Sequence, residues 1–178
     1  TNKIPKCLVS IGDEPILGIW LNNLCKAGCE SVLINTHYFS NQVEDYLKNK
    51  QFGNMKIITS YESSLLGTAG TLIKNSDFFQ GGKYMFIHAD NFTNINLQGF
   101  MSFHIKTTIP KKKLLTMMTF KTDNPRSCGI VRVNKEGIVE KFYEKGNNAA
   151  GTRVRKGMQE MKNVAQEIRI EVQNKKNS

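Results

Sequence analysis

Short apolar runs alternate with segments of helical spacing over the first ninety residues, and this alternation constrains the fold more than any other feature. CLVSI (7–11), SVLINT (31–36), MKIITS (55–60) and KYMFIHA (83–89) read as buried strands. Between the first two, ILGIWLNNLCKAG (16–28) brings Ile16, Ile19, Trp20, Leu24 and Ala27 to one face, with Gly28 suited to a helix end. SNQVEDYLKN (40–49) opens with Ser40, a favourable N-cap, and gathers Val43, Tyr46 and Leu47 on one side. TAGTLIKN (68–75) predicts a further short helix. Strands and helices that succeed one another through short links predict an α/β fold with a mainly parallel sheet.

The pattern changes after LLTMMTF (114–120). CGIVRVN (128–134) and GIVEKFYE (137–144) flank Lys135 and Glu136, with Gly137 beside them, which is a hairpin signal. The sheet is therefore expected to gain an antiparallel extension. From Thr152 onward there is no proline and no strand-like run. Val154, Met158, Met161, Ala165, Ile168 and Val172 recur in alternating steps of four and three, a coiled-coil period. Arg153, Arg155, Lys156, Lys162 and Arg169 lie off that seam. These features divide the chain into an α/β domain, residues 1–145, and a basic helical tail, residues 146–178.

Of the 178 residues 39% are hydrophobic, enough for a core and unlike a disordered chain. The formal net charge of +10 favours anionic partners and says nothing of fold. Cys7, Cys25, Cys29 and Cys128 form no Cys-x-x-Cys pair and have no histidine at zinc-finger spacing, so they read as reduced, mostly buried thiols of a cytoplasmic protein. No apolar run reaches membrane-spanning length, and the opening residues carry no signal-peptide pattern. Those residues lack Met and begin abruptly at a strand edge, so the natural start is expected to lie upstream.

Three features fall where open α/β sheets bind ligands, beyond the carboxyl ends of strands. In LLGTAGTL (65–72), Gly67, Ala69 and Gly70 allow a base or phosphate close to the backbone, or simply form a turn that starts a helix. In FIHADN (86–91) an apolar run delivers Asp90, which either holds Mg²⁺ or caps the turn with Asn91. Lys6 and Lys145 lie in or beside strand-like segments and either neutralise phosphates or remain solvated surface charges.

IPKCLVSIGDEPIL, VLINTHYF, LLGTAGTL, FIHADNF, CGIVRV and VEKFYEK, taken in order, resemble the sugar-1-phosphate nucleotidyltransferases, above all those that make nucleoside-diphosphate-mannose and related sugars. The resemblance spans residues 1 to 145. It implies a GT-A-like, Rossmann-like α/β domain that uses Mg²⁺, GTP and mannose 1-phosphate or their counterparts. It implies Lys6 as a phosphate contact and catalytic residue. Gly67, Thr68 and Ala69 become the loop around the base, and Asp90 the metal-binding, nucleotide-binding and catalytic aspartate. Gly129 falls near the sugar, and Glu144 with Lys145 binds the sugar and its phosphate.

The family pattern also has a glycine-rich triphosphate loop before the position where this chain starts, and a second metal-binding aspartate after its Glu-Lys pair. Truncation at both ends, with impaired catalysis, is therefore expected. Gly151, Thr152 and Arg153 resemble part of such a loop, but EKGNNAA before them is polar and small where the loop needs a buried strand. The segment from Glu144 to Arg169 instead resembles the helical part of bacterial histone-H1-like proteins, with Thr152 as N-cap. That alternative implies a nucleic-acid partner for the tail. The other readings of the seam are a helix docked on the α/β domain and a coiled coil joining two copies in a homo-oligomer.

Overall fold

The computed structural model describes residues 3–79, 82–125 and 128–143. In chain order the elements are β1 (Ser10–Ile11), β2 (Glu14–Pro15), α1 (Ile16–Lys26), β3 (Ser31–Thr36), α2 (Ser40–Lys48), β4 (Lys56–Tyr61), α3 (Gly67–Lys74), α4 (Leu97–Phe103), β5 (Ile130–Val133) and β6 (Val139–Tyr143). They fall into two compact units. The first comprises Thr1–Leu66 and Asn75–Leu115; the second comprises Gly67–Lys74 and the chain from Thr116 onward.

The first unit is built around α1. Pro15 precedes it at φ −59°, a geometry that proline fixes without losing a helical hydrogen bond, and Ala27 closes it. Its buried stripe is Ile16, Leu17, Trp20, Leu21 and Leu24, the spacing of one helical face. That stripe meets Val43, Phe52, Met55 and Leu97 in a single core, with Leu21 only 1% exposed. β3 and β4 pair in parallel, in register from Ser31↔Lys56 to Thr36↔Tyr61. The connection between them carries α2, whose Val43 is buried while Tyr46 and Leu47 pack against the core. The parallel α/β unit that the sequence predicts is thus present, and the fold class is mixed α/β.

Three local expectations are corrected. Ser40 is the first helical residue of α2, not its cap; the capping position is Phe39, at φ +55°, and no side chain caps the helix. CLVSI forms a 3-10 turn, Lys6–Leu8, followed by the two-residue β1, which pairs antiparallel with β2. KYMFIHA belongs to no hydrogen-bonded ladder among the described residues. It nevertheless keeps strand-like alternation: Met85, Ile87 and Ala89 pack against the core, while Tyr84 and Phe86 stand 5.0 and 5.9 Å from the ring of Phe79. Apolar side chains on both faces made the run look like a buried strand, and packing holds it extended without a partner strand.

In the second unit β5 and β6 form the predicted hairpin, antiparallel from Ile130↔Tyr143. Asn134 Oδ1 accepts from the amides of Glu136 (3.0 Å) and Ile138 (2.9 Å), which folds the turn at Lys135 and Glu136. α3 forms where the helix at 68–75 was predicted, shifted one residue toward the amino terminus at both ends. The boundary at residue 145 and the seam of the tail lie outside the described residues.

The cysteines are free and half-buried, where the sequence suggested mostly buried thiols. Among the described residues no helix is long and apolar enough to cross a membrane.

Candidate active site

Asp90 ends the extended run in a turn closed by the Asn91 amide, which donates to the His88 carbonyl at 3.0 Å. Its carboxylate is exposed. The backbone after it is fixed from the core: Trp20 Nε1 donates to the Asn91 carbonyl at 2.7 Å. Trp20 is 8% exposed and belongs to the stripe of α1, so the best-packed helix of the unit holds the Asp90 turn.

The 3-10 turn at Lys6–Leu8 brings Cys7 within electrostatic reach of Asp90. Burial is the main cause that pushes the Cys7 thiol above its ordinary range; a backbone hydrogen bond opposes the rise, and the Asp90 carboxylate adds to it. Lys6 is exposed and stands one residue away in the same turn. The first unit therefore brings the turn that carries Lys6 within electrostatic range of Asp90 through Cys7.

A second cluster closes the carboxyl end of the β3–β4 pair. The Glu62 amide donates to the Thr36 carbonyl at 2.8 Å, continuing the ladder by one rung. His37 Nδ1 donates to the Glu62 carbonyl at 2.7 Å. The Glu62 side chain is 2% exposed, and its Oε2 accepts from the Leu66 amide at 3.1 Å. In the amide orientation that satisfies its neighbours, Asn35 Nδ2 donates to the Ser60 carbonyl at 3.0 Å and to Glu62 Oε1 at 3.1 Å.

Gly67, Thr68 and Ala69 form the first turn of α3 in the second unit, with Gly67 at φ +73°. A left-handed residue here calls for glycine. Thr71 Oγ1 donates to the Gly67 carbonyl at 3.0 Å. Gly129 lies exposed just before β5, and a Cβ there would meet open space, so no close backbone approach requires glycine. Glu144 and Lys145 lie outside the described residues. Sequence reasoning singled out neither Trp20 as a support of the Asp90 turn nor Glu62. No local signal marks Glu62, which in SYESS reads as one acidic residue of a polar turn.

An exposed carboxylate on a fixed turn, with a lysine-bearing turn beside it, is suited to phosphate chemistry. Nucleotide phosphates bring oxygen and negative charge, which the lysine complements directly and the carboxylate only through a shared cation. Comparison with known proteins gives this arrangement its family: the nucleotidyl transferase family model matches residues 1–177, and the chain belongs to that family. The match runs across the segment that resembles histone-H1-like proteins, and the relatives below lend that resemblance no support.

Among curated relatives, the chain is 28% identical over 162 residues to the mannose-1-phosphate guanylyltransferase catalytic subunit beta of Drosophila melanogaster, covering 89% of this chain and 42% of that protein. It is 28% identical over 142 residues to the D-glycero-alpha-D-manno-heptose 1-phosphate guanylyltransferase of Campylobacter jejuni, covering 80% of this chain and 60% of that protein. The crystal structure of HddC from Yersinia pseudotuberculosis complexed with GMP-PN superposes with a TM-score of 0.66 at 20% identity, over 81% of this chain and 61% of that one. This likeness is one of fold, Rossmann-like α/β. The chain spans between 42% and 60% of the length of these two curated relatives.

Proposed function

We propose that the chain carries the nucleotide-binding part of a cytoplasmic sugar-1-phosphate guanylyltransferase, with GTP and a mannose-type hexose or heptose 1-phosphate as substrates. The observation that carries this reading is the match of the family model over residues 1–177, in a chain whose exposed Asp90 stands on a turn held by Trp20. The guanylyltransferase names of the relatives support the choice of base and sugar class.

In this reaction an oxygen of the sugar 1-phosphate attacks the α-phosphorus of the nucleotide. The new P–O bond forms as the bond to the bridging oxygen breaks, and pyrophosphate leaves. Positioning and charge neutralisation carry such chemistry. Lys6 neutralises phosphate charge from its exposed turn. Gly67, Thr68 and Ala69 take the base, and Gly129, Glu144 and Lys145 take the sugar phosphate, as the family motifs imply.

Asp90 is the residue that would hold Mg²⁺. Among the described residues no group of three or more His, Cys, Asp or Glu side chains gathers to cage a metal. A lone exposed carboxylate fits an ion that takes its other ligands from substrate phosphates and water, as Mg²⁺ does. The ion, when bound, would offset charge that develops on the phosphate oxygens.

Calorimetric titration with GTP, with and without Mg²⁺, tests the reading. Mg²⁺-dependent binding of GTP in preference to ATP is expected. Equal indifference to both nucleotides, in either condition, would overturn it.

A further inference from the structure

Glu62 is a carboxylate with 2% of its surface exposed, beside a segment whose own side chains are not buried. Leu65 is 73% exposed and Leu66 45%, so apolar burial does not fix residues 63–66 in place. Their order comes from hydrogen bonding. A buried carboxylate is costly unless it is well supplied with donors, and Glu62 draws one from each side. Asn35, on β3, supplies Oε1, and the Leu66 amide supplies Oε2. Its main chain is clamped as well, by the Thr36 carbonyl and by His37 Nδ1. Four links therefore tie Glu62 to β3 and to the turn, and the next residue after Leu66 is the left-handed Gly67.

We propose that Glu62 is the positioning residue of the segment that leads into the nucleotide loop: through the Leu66 amide it ties residues 63–66, which precede Gly67, Thr68 and Ala69, to the β3–β4 pair. The inference rests on the reading of that loop as the base-binding segment. It adds a residue that touches no substrate yet sets affinity for the base. A carboxylate satisfies both donors at once because both of its oxygens accept. An amide in its place has one oxygen, so either Asn35 or Leu66 faces a second donor.

The experiment compares the full chain with Glu62→Gln and Glu62→Asp. It measures GTP and mannose 1-phosphate affinity by calorimetry, melting temperature, and amide exchange of residues 63–71. Glu62→Gln keeps the volume and is expected to weaken GTP about tenfold, the scale of one lost hydrogen bond to a charged group. Sugar phosphate affinity should stay constant while Leu66 exchange rises. Glu62→Asp retains charge but is one methylene short of Leu66, and should lose GTP affinity likewise. If sugar phosphate and GTP weaken together in step with the melting temperature, Glu62 is a structural residue and the proposal falls. Unchanged GTP affinity in both variants, with a wild-type chain that binds GTP, overturns the proposal alone. A wild-type chain that binds no GTP overturns the function and this inference with it. Should both variants fail to fold, wild-type exchange decides: the Leu66 amide must be protected despite its exposed side chain, and an unprotected amide refutes the anchor.

Discussion

Gly18→Ala sets two effects of opposite sign against each other. Gly18 lies within α1, and alanine is favoured over glycine in a helix interior by about 0.8–1.0 kcal/mol. Propensity alone therefore predicts a gain. The structure predicts a loss. A Cβ at position 18 would occupy the space taken by the Glu14 carboxylate and the Tyr46 hydroxyl, which share a hydrogen bond of 2.7 Å. Lys50 adds to the cluster, with Nζ 4.0 Å from Glu14 and 5.4 Å from the centre of the Tyr46 ring. A hydrogen bond to a charged group contributes about 1.5–3 kcal/mol, and partial exposure of Glu14 sets this one toward the lower end. Subtracting the helix gain leaves a net loss of about 0.5–2 kcal/mol, or roughly 2–6 °C in melting temperature for a chain of this size. Urea unfolding of Gly18→Ala, Tyr46→Phe and the double variant measures it. The loss from Gly18→Ala should shrink in the Tyr46→Phe background, where the hydroxyl is already gone. A Gly18→Ala chain more stable than wild type by about 1 kcal/mol would show that propensity governs and that the Glu14–Tyr46 contact contributes nothing.

The same contact makes a pH prediction. Burial first, then the hydrogen bond and the charge of Glu14, raise the Tyr46 pKa well above its ordinary value. A group whose folded pKa is raised stabilises the fold fully below its unfolded pKa, near 10, and loses that contribution as pH climbs toward the folded value. Stability should therefore fall above about pH 10, and Tyr46→Phe should flatten that limb in pH-dependent urea unfolding. Leu21→Ala, at the best-buried position of the core, should cost about 2–5 kcal/mol by the same assay. Asp90→Asn should abolish the Mg²⁺ dependence of GTP binding with little change in melting temperature. It should also speed alkylation of Cys7 at mildly alkaline pH, since one cause of the raised thiol pKa is removed.

Sequence patterns located elements where side-chain periodicity and hydrogen bonding agree. β3 matches its predicted span, α1 and α2 fall within theirs, and the β5–β6 hairpin forms around its predicted turn. Where the two part, the sequence reports burial alone. Residues 83–89 alternate as a strand does, yet their backbone joins no ladder among the described residues. Lys6 and Asp90 could be proposed from the sequence because Lys6 opens, and Asp90 closes, a short apolar run. Glu62 was not legible, because in YESS it reads as one more acidic residue of a polar turn. Its burial depends on Asn35 and His37, residues more than twenty positions earlier, and no local pattern conveys that.

Trp20 is the chain's single tryptophan. Because its indole N–H is bound to the carbonyl just beyond Asp90, the protein's intrinsic fluorescence is an optical readout of that one turn. Emission depends on the polarity and hydrogen bonding around the ring, so any ligand that shifts residues 90 and 91 should alter it without a label. Motion elsewhere, as in the hairpin of the second unit, has no tryptophan of its own to report it. Stopped-flow emission during cation and nucleotide mixing would thereby time events at Asp90 separately from the heat that calorimetry sums over the whole molecule.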